Sequence, residues 1–258
     1  MNVVIFRVPA GKSIVSPPSA CPACGARIRA FDNIPIISWI VLHGKCRDCR
    51  TGISIRYPLV ELGTALFFGL VTLQFWPGGS AGDPAASAHG VASVLVFIAF
   101  LYLAAVSVAL ALIDIDTHTL PNRVVLPSYV VGIALLGTAA ILGSDYGALI
   151  RAVIGSSALV FAYAAMAFAY PGGMGFGDVK LAGVLGLFLG YLGWGQLVVG
   201  AFGAFLLGGA FSLGLLALRR VNRKSGIPFG PWMLAGGWAG ALAGAPISSG
   251  YLALFGLA

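Results

Sequence analysis

Eight acidic residues occur in the 258-residue sequence: Asp32, Asp48, Glu61, Asp83, Asp114, Asp116, Asp145 and Asp178. Two of them stand in contexts that suit chemistry. Asp114 ends a long charge-free apolar run and precedes the turn residues Thr119-Leu120-Pro121-Asn122. Asp178 follows Pro171-Gly172-Gly173-Met174-Gly175-Phe176-Gly177, where glycines allow close backbone approach and dihedrals that other residues avoid. Glu61, Asp114, Asp116 and Asp178 all lie within apolar runs or at their ends, where an ionisable group is costly unless it faces a polar cavity or a partner. Two carboxylates brought together share one proton, because like charges at short range do not both ionise. One then polarises a peptide carbonyl while the other activates water, the division of labour that peptide hydrolysis needs. The same pair suits a cation or proton-coupled transporter, so both readings stand at this point. Asp114 and Asp116 are two positions apart, about 200° around a helix, so they cannot share one cavity. Asp114 is the deeper of the two, and Asp116 is expected to reach water.

A second constellation is Cys21-x-x-Cys24 and Cys46-x-x-Cys49, with 21 residues between the pairs. Each pair can give two thiolates to one tetrahedral zinc ion. A site closed by four thiolates has no position for a reacting water, so it is expected to support folding. Glu61 lies about one turn into its helix from Arg56; snorkelling with Arg56 as partner, and a functional role, are both open. His43, His89 and His118 show no ligand spacing and read as surface residues.

The elements that must hold these groups are membrane helices. Hydrophobic residues make up 59% and charged residues 9% of the chain, against roughly 25% charged in a soluble domain. Runs of about 20 apolar residues recur. Seven crossings are expected at 57–76, 91–113, 124–143, 149–170, 179–191, 195–218 and 230–257. The helix after Asp178 is expected to be only about twelve residues long, which would sink Asp178 and its loop below the membrane surface. Breaks are expected at Gly190–Gly195 and near Pro246. Eight of the fifteen Lys and Arg lie in residues 1–56, and four more, Arg219, Arg220, Arg223 and Lys224, form one short loop. With residues 1–56 in the cytoplasm, fourteen of the fifteen fall on that side and only Arg151 falls outside, as the positive-inside rule requires. The charge of +7 therefore reads as topology and lipid contact, and a nucleic-acid partner is not expected. No cleavable signal peptide is visible, because the first apolar stretch is short and meets Pro9, Gly11 and Lys12. The expected fold is an all-α polytopic membrane protein. Its parts are a small cytoplasmic zinc-binding domain at 1–56 and a transmembrane domain at 57–258.

Several motifs in order carry a resemblance. Gly175-Phe176-Gly177-Asp178-Val179-Lys180-Leu181 and Asp114-Ile115-Asp116-Thr117-His118-Thr119-Leu120-Pro121-Asn122 resemble the two aspartate motifs of the type 4 prepilin peptidase family. Pro17-Pro18-Ser19, the two Cys pairs and Arg56-Tyr57-Pro58-Leu59-Val60-Glu61-Leu62 resemble its long bacterial form. The resemblance implies Asp114 and Asp178 as catalytic residues and Gly175 and Gly177 as the active-site loop. It also implies leader cleavage of prepilins or secretion pseudopilins at the cytoplasmic face of the bacterial inner membrane, and N-methylation with S-adenosylmethionine. Members of this family begin with a further membrane helix ending in a segment like Asn2–Pro9, the segment at which this sequence starts.

Overall fold

The computed structural model describes residues 1–77, 85–170, 173–218 and 227–256, with the side chains of 85–89 left aside. The basic loop Arg219–Lys224, residues 78–84 with Asp83, the side chain of His89, and Pro171 and Gly172 lie outside the described residues. The chain folds into nine α-helices among the described residues: α1 Asn2–Arg7, α2 Pro35–Val41, α3 Arg56–Phe75, α4 Ala85–Thr117, α5 Asn122–Leu142, α6 Tyr146–Ala169, α7 Phe176–Leu192, α8 Trp194–Ala217 and α9 Gly230–Ala253. Helices dominate because in an apolar surround each backbone N–H and C=O must be satisfied within its own segment. Helices α3 to α6 and α8 are each long and apolar enough to cross a membrane, which makes the chain a multi-pass membrane protein.

The expected helices occur, with four differences, the first being that α4 starts at Ala85 and ends at Thr117, ten residues longer than the expected 91–113. Helix α7 is 17 residues rather than about twelve, about 25 Å long. It starts at Phe176, so Asp178 is a helical residue in its first turn and not part of a sunken loop. Gly175 and Asp178 explain the early start: Gly175 is the N-cap, and the Asp178 carboxylate accepts its N–H three residues on. Helix α9 runs through Pro246 without the expected break. The expected break between α7 and α8 is a single residue, Gly193, at φ +153°, a conformation side chains rarely adopt.

Helix α7 is the centre of the bundle, packed on α5, α6, α8 and α9, and every residue from Leu181 to Gly190 is buried. Phe188 of α7 meets Phe100 of α4 edge-on, and Phe100 stacks on Phe75 of α3 at 4.1 Å between centroids. Trp238 of α9 meets the same cluster and donates its indole N–H to Ser107 of α4 at 2.9 Å. Two helix pairs are in backbone-to-backbone contact. In α6–α7, Gly186 lies against the Gly155 carbonyl and Gly190 against that of Arg151. In α8–α9, Gly236 lies against Ala204, and Gly240 against Gly200 and the Gln196 carbonyl. A small void lined by Leu159, Tyr163, Ala182, Leu189, Ala204 and Met233 lies between the two pairs. Gly186→Ala therefore lowers stability by about 1–3 kcal/mol, since backbone cannot yield to a methyl. Gly209→Ala, whose methyl meets nothing within 4 Å, does not, and thermal unfolding in detergent separates the two.

Helix α1 lies against α3 and α4, with Ile5 packed on Val60 and Ile113. Helix α2 packs on α3 and leaves Ile34, Ile37, Ile40 and Val41 exposed around it.

Candidate active site and thiol cluster

Asp114 occupies the last turn of α4. The helix ends one turn later, where His118 turns to φ +53° and donates its N–H to the Asp114 carbonyl at 2.8 Å. Asp114 is only 5% exposed, and its Oδ2 accepts the Gly230 N–H at 3.0 Å. Asp116 faces the other way, as its helical position requires. It is exposed and accepts Arg56 Nη2 at 2.6 Å, tying the start of α3 to the end of α4. Asp116→Asn costs less than about 1 kcal/mol in thermal unfolding, since both groups are open to solvent.

Asp178 lies at the start of α7, half-buried, with Gly175 N–H 3.2 Å from its Oδ2. Leu120, in the turn after α4, sits between the two acid-bearing segments. A methyl on Gly177 would stand 3.0 Å from Leu120 Cβ, and one on Gly230 would stand 3.3 Å from Leu120 Cδ2. Asp114 and Asp178 are within electrostatic reach of one another. The two motifs are joined again beside the acids, where Lys180 Nζ donates to Asn122 Oδ1 at 3.0 Å and Tyr129 OH to the Lys180 carbonyl at 2.7 Å. Buried Tyr163 lies within electrostatic range of Asp178, and its ring packs near Phe205 and Phe229. Neither Tyr163 nor Gly230 was singled out by sequence. For Gly230 the available signal was Pro228-Phe229-Gly230-Pro231, a helix start whose first N–H groups need acceptors.

The four cysteines converge as expected. Two similar knuckles form, with Cys21 N–H on the Ala26 carbonyl and Cys46 N–H on the Thr51 carbonyl. The residue after each second cysteine, Gly25 and Arg50, takes positive φ to close its loop. All four Sγ atoms lie within 4.8 Å of one another, and Cys21 and Cys49 are 3.7 Å apart. A tetrahedral zinc ion with bonds of about 2.3 Å has sulfur–sulfur edges of about 3.8 Å, so the cluster fits the ion. Hydrogen bonds with the Thr51 hydroxyl, 3.2 Å from Cys49 Sγ, then with the Thr51 backbone and the neighbouring cysteines, bring that thiol down to about 6. Arg47 grips Asp32 through two hydrogen bonds of 2.8 and 2.7 Å, which hold the Asp32 carboxyl below its ordinary range. That contribution to stability is present above a pH of about 4 and is lost as pH falls through the lowered folded value.

The sequence matches the Bacterial Peptidase A24 N-terminal domain over residues 1–75 and the Type IV leader peptidase family over 101–213. It is 37% identical over 247 residues to a prepilin leader peptidase/N-methyltransferase of Aeromonas salmonicida, covering 93% of this chain and 76% of that protein. The chain belongs to the type IV leader peptidase family. A relative of the same name from Pseudomonas aeruginosa is 36% identical over 242 residues, covering 93% and 76% of the two chains. One from Burkholderia pseudomallei is 34% identical over 245 residues, covering 93% and 71%. No solved structure matches the chain.

Within the family's matched regions, 1–75 holds the four cysteines and Glu61, and 101–213 holds both Asp114 and Asp178. Glu61 does not pair with Arg56, contrary to one expectation. Five residues on a helix are about 140° apart, so the two side chains leave α3 in different directions. Arg56 reaches Asp116, while Glu61 accepts the Asn2 side-chain amide at 2.9 Å, the Asn2 N–H at 3.2 Å and the Met1 amine at 2.9 Å.

Proposed function

We propose that this peptidase removes the leader from prepilins or type II secretion pseudopilins and N-methylates the new first residue. The observation that carries the reading is that Leu120 lies between Gly230, whose N–H holds Asp114, and Gly177, the neighbour of Asp178, in a chain of this family. Asp114 and Asp178 are the catalytic pair, held by the Gly175–Gly177 segment on one side and the end of α4 on the other. One carboxylate, ionised, takes a proton from water as the water oxygen bonds to the scissile carbonyl carbon. The other, protonated, gives its proton to the carbonyl oxygen. As the tetrahedral diol collapses, the proton taken from water passes to the leaving nitrogen, the C–N bond breaks, and one hydroxyl of the diol returns its proton to the second carboxylate, which restores the pair. The products are a leader ending in a carboxyl group and a mature chain with a free α-amine. That amine is the nucleophile for methylation, with S-adenosylmethionine carried over from the family as methyl donor. None of the described residues is assigned to hold it. Glu61 is kept as a candidate leader or methyl-transfer contact.

The four cysteines hold zinc and serve structure, with 1–56 the cytoplasmic domain and 57–258 the membrane domain. Seven of the helices, α3 to α9, cross the inner membrane in this reading, and the acids face the cytoplasm, the side on which fourteen of the fifteen Lys and Arg fall. A prepilin added to proteoliposomes of the full chain with S-adenosylmethionine should lose its leader and gain one methyl group, read by mass spectrometry. An intact prepilin after prolonged incubation overturns the proposal.

A further inference from the structure

The first turn of α9 has a short account of backbone donors. Pro231 has none, and Trp232 and Met233 both donate to the Phe229 carbonyl, at 3.0 and 3.1 Å. Gly230 is left with the one N–H of this turn that has no helical acceptor, and it donates to Asp114 Oδ2 at 3.0 Å. The aromatic residues on either side fix where that N–H points. Phe229 packs on Phe205 with centroids 5.4 Å apart, and Trp232 on Phe211 at 4.5 Å. The space beside Gly230 is already filled. A β-carbon there would stand 2.7 Å from Asp114 Oδ2 and 3.3 Å from Leu120 Cδ2. The far side of Leu120 is closed by Gly177, next to Asp178.

We propose that Gly230 is a positioning residue of the peptidase: its N–H occupies Asp114 Oδ2, and its missing side chain leaves the space in which Asp114 and Leu120 settle against the Asp178 segment. This assignment rests on the peptidase reading above. Holding Oδ2 leaves Oδ1 as the oxygen that exchanges protons with water or substrate. Gly230 touches the acid and not the peptide bond, so disturbing it spoils the alignment of the acids and leaves leader binding intact. A displacement of about 1 Å in such a constellation costs on the order of 10²-fold in rate.

The test compares Gly230→Ala with Gly209→Ala, the same chemical change in open space on α8. Both are made in the full chain, reconstituted in lipid and assayed for prepilin cleavage with kcat and KM resolved. Gly230→Ala is expected to lower kcat by about 10²-fold with KM within about threefold, while it still methylates a pre-cleaved pilin. Gly209→Ala keeps wild-type kcat. A Gly230→Ala kcat within threefold of wild type overturns the proposal. So does a parallel loss of cleavage, methylation and thermal stability, which marks a residue of the fold alone. If Gly230→Ala does not fold, the variant that also carries Leu120→Ala opens space beside the new methyl, and wild-type kcat in that double variant overturns the proposal. A wild-type protein that fails to cleave prepilin at all counts against the peptidase reading instead.

Discussion

Asp114→Asn and Asp178→Asn should each lower prepilin cleavage by about 10²–10⁴-fold, with the protein still folded and inserted. An amide is nearly the same size as a carboxyl, so packing around either acid is little changed. At Asp114 the remaining side-chain oxygen can still accept the Gly230 N–H, and at Asp178 it can accept that of Gly175. What each substitution removes is the ability to gain or release a proton at that position. Half a pair does not substitute for two, because activating water and protonating the carbonyl are separate tasks at separate atoms. Asp116→Asn is the internal control. It removes a carboxylate from the same motif, two residues away, and should leave cleavage near wild type, because Asp116 points to Arg56 and away from the pair. Co-expression of each variant with a prepilin, followed by gel separation of precursor and mature forms, reads all three. Wild-type processing by Asp114→Asn or Asp178→Asn removes the catalytic assignment.

Cys21→Ser with Cys24→Ser should lower bound zinc from about one per chain to less than a tenth, measured by elemental analysis of purified protein. The same variant should lose order between residues 8 and 55 while the membrane helices persist. Within that segment only Gly44 and Cys46 are buried, which leaves almost no apolar core to hold it. Structural zinc contributes on the order of 10 kcal/mol in isolated finger peptides, far more than the exposed Arg29–Asp48 and half-exposed Arg47–Asp32 pairs can add. Limited proteolysis should then cut first in this segment, as it should in wild-type protein stripped by a chelator. Unchanged zinc content in the double variant removes the metal assignment.

The helices were legible because apolar runs of bilayer length have few alternatives, and Asp114 and Asp116 separated correctly because helix geometry alone puts them on different faces. The thiol cluster was legible from spacing. Other features were written in the sequence but misread. Glycines before Asp178 suggested a loop, yet an acid three residues after Gly175 is also a helix-start signal, and it marks where α7 begins. Glu61 and Arg56 look adjacent along the chain, but a helix separates positions five apart. The Gly230 contact was the least accessible of all. A backbone N–H is common to every residue but proline, so its destination depends on how α9 meets α4, a relation 116 residues long in sequence.

The glycine contacts have a mechanical meaning. Side-chain layers yield by changing rotamers, but touching backbones have no rotamers to change. The α6–α7 pair is therefore stiff, and so is α8–α9. Asp178 rides on the first pair, while Asp114 is moored to the second through Gly230. The seam between the pairs is filled by side chains and holds the small void beside Leu189 and Met233. That seam, packed by side chains that can change rotamer, is where this bundle can yield, and it lies between the helix that carries Asp178 and the helix that holds Asp114 through Gly230.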